Sequence, residues 1–106
     1  MLYEWRTYHA AAGKMDALHR RFAEHTCRLF DRHGIRQVGY FVPVAAEGPL
    51  HYLLAYPDQV ARDTAWTAFR ADPQWQAAKA DSEREGPLVE RIDSVFLQAT
   101  PYSPQP

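Results

Sequence analysis

Residues 34 to 56 read GIRQVGYFVPVAAEGPLHYLLAY, and the class of the fold turns on them. Gly34 to Pro43 carries the β-branched and aromatic residues that predict a strand. Ala45 to Pro49, closing on Gly48-Pro49, predicts a turn, and His51 to Tyr56 predicts a second strand. Two strands in direct succession across so short a turn pair antiparallel. What flanks them on either side then fixes the architecture.

Upstream, Met15, Leu18, Phe22 and Leu29 recur at helical spacing, with His25 filling the same stripe, so Lys14 to about His33 predicts one long amphipathic helix stopped by Gly34. Before it, Leu2 to Tyr8 (LYEWRTY) predicts a strand that ends in Ala11-Ala12-Gly13. Downstream, Pro57-Asp58 opens a helix whose apolar surface is Ala61, Ala65, Trp66, Ala68 and Phe69. The residue before a proline is pushed away from helical dihedrals, so a break is expected at Asp72-Pro73, with a further helix through Trp75 to about Glu85. Val89 to Thr100 predicts the last strand.

The order is β-α-β-β-α-β, a ferredoxin-like α+β fold in which helices cover one face of a four-stranded antiparallel sheet. The other face needs a partner or polar cover. Side chains alternate along a strand, which divides Tyr3, Trp5 and Thr7 from Glu4, Arg6 and Tyr8. The first set reads as the packed face and the second as polar. Tyr52, Leu54 and Tyr56, with Tyr8, read as the bare face, too aromatic for water and expected to meet a second copy of the chain in a homodimer.

The chain has 106 residues, 46% of them hydrophobic, which fits one domain over residues 1–106, its Pro-rich tail at 101–106 excluded from the sheet. A domain of this size buries only something over roughly 60% of its unfolded surface, which favours association. Twelve basic and thirteen acidic side chains interleave to a net charge of -1, without the basic footprint of a nucleic-acid binder. The run around Arg20-Arg21 reads as a solvated helix face. No apolar run approaches the roughly 20 residues of a membrane span. Cys27 is the single cysteine and no secretory leader precedes the first strand, so a cytoplasmic protein without disulfides is expected.

Six short segments resemble the NIPSNAP family in order and spacing. Tyr3-Glu4-Trp5-Arg6-Thr7-Tyr8 is similar to that family's opening YELRTY, and Gly13-Lys14 to the PGK turn that follows it. Arg32-His33-Gly34 with Val38-Gly39-Tyr40, then Leu53-Leu54-Ala55-Tyr56, Ala71-Asp72-Pro73-Gln74-Trp75 and Thr100-Pro101-Tyr102-Ser103-Pro104 continue the match over nearly the whole chain. The sequence departs from the family at Tyr52, Leu54 and Gln98, where His, Trp and Arg are common. The resemblance implies a dimeric α+β barrel, two sheets packed face to face, with a cavity in each subunit between sheet and helices. The wider superfamily it implies includes cofactor-free monooxygenases, isomerases, haem-handling enzymes and binding proteins, so fold alone names no reaction.

Glu4, Arg6 and Tyr8 project from one side of the first strand, and with Tyr52 and Tyr56 they form a candidate ligand-binding wall of one charge pair and several hydroxyls. A carboxylate beside a guanidinium fixes a polar ligand, and a tyrosine hydroxyl donates to an oxyanion. His25, on the sheet-facing stripe, is the candidate general base, although a histidine there is ordinarily a satisfied core residue. The five histidines lack metal-ligand spacing, and no phosphate loop or nucleophile elbow occurs, so no metal and no cofactor are expected. Trp66, Phe69 and Trp75 read as core. The leading expectation is a dimeric protein that binds a small, partly aromatic or apolar molecule beneath its sheet. The alternatives are a cofactor-independent monooxygenase or isomerase, in which Arg6 stabilises an anion formed by His25 or a tyrosine, and a non-catalytic protein-protein interaction module.

Overall fold

In the computed structural model, which describes residues 1–104, a four-stranded antiparallel sheet carries three helices on one face. Strand β1 is Leu2–Ala10, β2 Arg36–Phe41, β3 Leu50–Tyr56 and β4 Val89–Leu97, arranged β2-β3-β1-β4. Helix α1 spans residues 15–32, α2 is Gln59–Ala71 and α3 is Pro73–Ser82. The expected element order and class are therefore observed, with each boundary within a few residues of its prediction.

β1 is central, so its residues meet partners on both sides. Arg6 stands opposite Tyr52 of β3 and Ser94 of β4, and Glu4 opposite Leu54 and Phe96. This register carries Glu4, Arg6, Tyr8, Tyr52, Leu54 and Tyr56 to the helix-covered face, where all six are buried. The two faces are thus the reverse of the expectation. Tyr3, Trp5 and Thr7 lie on the outer face with His51 and Leu53, joined by Phe41, Val95 and Leu97, which are 52%, 52% and 43% exposed. Formal charge at Glu4 and Arg6 suggested solvent, but paired charges satisfied by hydrogen bonds can be buried, and here they are.

Helix α1 is not regular throughout. Its middle, Phe22–Thr26, is π-helical, and the wider turn inserts a residue into the stripe. Phe22 is followed on the sheet side by Thr26, not His25, and the stripe resumes at Leu29 and Phe30. Tyr52, fully buried, lies under the rings of Phe22, Phe30 and Tyr40, with centroids 5.3, 6.2 and 5.1 Å away. Gly34, at φ 71°, takes the left-handed position that ends α1, and Ile35 N–H returns to the Phe30 carbonyl at 2.9 Å. That is the Gly-closed helix end the sequence anticipates.

The break between α2 and α3 is built around Asp72. Its carboxylate caps α3 by accepting from Gln74 N–H at 2.8 Å, Pro73 holds the first helical position, and the same carboxylate accepts from His33 Nε2 at 2.7 Å and Arg32 Nη1 at 3.2 Å. One side chain therefore starts α3 and ties it to the end of α1. The hydrogen bond from His33, with those from Gln74 and Arg32, holds the Asp72 carboxyl below its ordinary range. Among the described residues no helix is long and apolar enough to cross a membrane.

Asp72→Asn retains a capping oxygen but loses the charge, whereas Asp72→Ala loses both. The expected order of thermal stability is wild type, Asn, Ala, with Ala lowered by about 5 °C or more. Because a depressed carboxyl stabilises above its unfolded pKa and the effect is lost on acidification, the gap between wild type and Asp72→Asn should narrow as pH falls below about 4. Calorimetry across pH checks both.

Candidate functional site

The helix-facing side of β1 holds a buried ionic cluster. Glu4 is wholly buried, and its Oε2 accepts from Arg6 Nη1 at 2.9 Å, Arg62 Nη2 at 2.9 Å and Ser94 Oγ at 2.7 Å. Its Oε1 accepts from Tyr56 Oη at 2.8 Å and Arg62 Nε at 3.2 Å. Trp66 Nε1 in turn donates to Tyr56 Oη at 2.7 Å. Burial on its own would raise this carboxyl. Hydrogen bonds from Arg62, Ser94 and Tyr56, with the charge of Arg6, outweigh burial and hold it at about 2.

Arg6 is the hinge between this cluster and open space. Its Nε donates to Tyr52 Oη at 2.9 Å, Nη1 to Glu4 and Nη2 to Tyr8 Oη at 3.1 Å, while the guanidinium lies 4.4 Å from the Trp66 ring centre. Burial acts to lower its pKa, but Tyr52, Tyr8 and Glu4 more than reverse this, so Arg6 stays charged. A guanidinium has five N–H donors, and three are used. Tyr52 donates to Tyr8 at 2.9 Å, so the Tyr8 oxygen accepts from both Arg6 and Tyr52 and keeps its own O–H to donate. Burial and the neighbouring Tyr8 raise the Tyr52 pKa well above the ordinary value, against the opposing charge of Arg6.

Arg6 and Tyr8 form part of the wall of a cavity of about 670 Å³ between the sheet and the helices. α1 contributes Arg21, Phe22, Thr26 and Phe30, α2 contributes Trp66, Phe69 and Arg70, and α3 contributes Trp75, Gln76 and Lys79. Val89 to Ile92 of β4 close the remaining side. The volume lies in the range of small-molecule sites, and so does the composition, apolar walls with a few convergent polar groups. Phe69 and Trp75 rings, 4.7 Å apart, continue the aromatic wall from Phe30 and Trp66.

All five residues predicted to bind ligand, Glu4, Arg6, Tyr8, Tyr52 and Tyr56, are joined in one hydrogen-bonded network. Arg6 and Tyr8 line the cavity, and the other three stand behind them as support. His25 is not part of it. The π turn rotates it off the sheet-facing stripe, so it borders a smaller pocket between α1 and α3 with Glu24 and Asp81. Sequence reasoning missed Arg62, Ser94 and Arg21. Arg62 follows the Asp58 cap by one helical turn, and Arg21, read as a solvated residue, is 5% exposed. Among the described residues no group of three His, Cys, Asp or Glu gathers as a metal site.

The NIPSNAP family model matches residues 3–104. The chain belongs to the NIPSNAP family. An uncharacterized NIPSNAP domain protein from Burkholderia xenovorans is 27% identical, with 99% of this chain and 100% of that one covered at a TM-score of 0.83. A NIPSNAP family protein from Agrobacterium tumefaciens is 24% identical over 97% and 96% of the two chains, also at 0.83. The fold extends further, to an antibiotic biosynthesis monooxygenase at 15% identity and a TM-score of 0.62, covering 95% of this chain and all of that one. No curated protein matches the sequence. The NIPSNAP opening motif therefore coincides with β1, and its charged pair is the Glu4–Arg6 centre of the buried cluster.

Glu4→Gln leaves the buried Arg6 and the half-buried Arg62 without this carboxylate and should cost about 3–5 kcal/mol in urea unfolding. The folded carboxyl titrates near 2 against an ordinary 4.5, so its contribution is present above about pH 5 and lost between there and 2. Glu4→Gln should lack that segment of the acid-stability profile.

Proposed function

We propose that this NIPSNAP protein is a homodimer whose subunits each bind one small, partly aromatic or apolar molecule in the cavity beneath the sheet. The observation that carries this reading is the cavity itself. It combines an aromatic wall with spare donors on Arg6 and Tyr8 at one end, a pairing suited to holding a flat apolar body by a polar group. The supporting network behind those donors fixes their positions before anything binds, which lowers the ordering cost of association. A cytoplasmic setting accords with the lone, unbridged Cys27.

The homodimer is motivated by the outer sheet face, where Trp5, Phe41, Leu53, Val95 and Leu97 leave a contiguous apolar surface partly open. Such surfaces mark interaction sites. Packing a second sheet on it buries the face without touching the cavity on the opposite side.

A catalytic reading, a cofactor-independent monooxygenase or isomerase, draws on the fold shared with the antibiotic biosynthesis monooxygenase. It requires a base at the cavity. His25 borders another groove and Tyr52 is held protonated by burial, so binding without turnover is favoured. A pure protein-protein interaction module is disfavoured because it gives the cavity no role.

Two experiments test the proposal. Titration with a neutral aromatic probe, 2-naphthol, followed by tryptophan fluorescence, should give one site per chain with Kd below about 1 mM. Val89→Trp, which fills the cavity rim, should abolish it, and undiminished binding would place the site elsewhere. Light scattering should give twice the 12.2 kDa chain mass, and Val95→Arg on the outer face should give monomers.

A further inference from the structure

Arg21 is 5% exposed, and its Nε is the one buried side-chain nitrogen or oxygen without a hydrogen-bond partner among the described residues. Its Nη1 is engaged, donating to Ser82 Oγ at 3.2 Å and Glu83 at 3.4 Å. Its guanidinium sits 5.2 Å from the Trp75 ring centre, and both side chains line the main cavity. Nε and Nη2 share one edge of the guanidinium. That edge, a two-donor fork spaced to take both oxygens of a carboxylate, has no partner among the described residues. A buried N–H left unpaired is costly, and a ligand acceptor removes the cost.

The charge around the cavity points the same way. Its lining holds Arg6, Arg21, Arg70 and Lys79 against the carboxylates of Glu83 and Glu90, with a fifth cation, Arg91, exposed at the rim and paired with Asp93 at 3.3 Å. Glu83 is shared between Arg21 and Lys79, the latter at 3.2 Å. Behind the wall, Glu4 is likewise shared between Arg6 and Arg62, so one carboxylate faces two guanidiniums. A surplus of positive charge in a partly desolvated space is relieved by an anion. The walls between, Phe22, Phe30, Phe69 and Trp75, offer ring faces and edges.

We infer that the cavity is specific for an aromatic carboxylate, one oxygen on Nη2 of Arg21 and the other on Nε once the guanidinium turns to meet it, with the ring body among the aromatic side chains. This rests on the reading that the cavity takes a small molecule and adds the ligand's chemical class. Arg21 also borders the smaller pocket that holds His25, and a site there would lack the aromatic walls.

The test compares 2-naphthoate with the neutral, near-isosteric 2-naphthamide by calorimetry at pH 7. The acid should bind on the order of tenfold more tightly, the scale of a buried charge-assisted hydrogen bond. Arg21→Met should bring the two probes within about twofold, chiefly by weakening the acid. Arg21→Lys, which keeps the charge and loses the fork, should lose most of the preference and serves if the Met variant does not fold. Equal binding of acid and amide to wild type overturns the carboxylate assignment and leaves the cavity reading standing. Full preference retained in the Arg21 variants overturns the anchor. No binding of either probe overturns the cavity reading and this inference together.

Discussion

A carboxylate placed at the centre of a sheet, beneath helices, loses its hydration and several kcal/mol with it unless the fold replaces every water. Glu4 receives five such replacements, from Arg6, Ser94, Tyr56 and the two donors of Arg62. These come from β1, β4, β3 and α2. The interaction can form only when three strands and a helix are in register, so it ties sheet order to helix position. A slip of one residue in β1 would turn Glu4 and Arg6 to the outer face and take the shared carboxylate away from Arg62 and Tyr56.

The same constraint shapes the cavity. Because Arg6 is anchored on one side by Glu4 and on the other by Tyr52 and Tyr8, its guanidinium cannot collapse into the space beside it. Trp66 is fixed in turn by its bond to Tyr56. Rigid groups around an unfilled volume keep it open, and the π turn of α1 contributes by presenting the small Thr26 to it between the larger Phe22 and Phe30. A regular helix would bring position 25, a histidine, onto that stripe.

Element order was legible because it rests on local signals: helical spacing at Met15, Leu18 and Phe22, the stop at Gly34, and the Asp72-Pro73 break. Which face of the sheet lies under the helices was not. Period-two alternation separates two sets of side chains without saying which is inside, and the polarity of Glu4 and Arg6 argued for the wrong one. Their burial depends on Arg62 and Ser94, 58 and 90 positions from Glu4 in sequence, and no local pattern announces such partners. His25 was misplaced for a different reason. A stripe at 3.6 residues per turn does not hold through Phe22–Thr26, where the turn is wider.

β1 carries both halves of the proposed function, because alternation gives its outer residues to the apolar face and its inner ones to the network. Trp5 stands between Glu4 and Arg6 in sequence and stacks on His51 at 5.4 Å and Phe41 at 6.1 Å. Thr7, between Arg6 and Tyr8, is 3.0 Å from His51 Nδ1. A second sheet pressed on the outer face would therefore bear on the strand that positions Arg6 and Tyr8, through a backbone held on both edges by β3 and β4. Protein interiors transmit such constraint because they are close-packed. The proposed association and ligand binding would thus be two loads on one strand, and the buried Glu4 cluster would keep that strand in place under both.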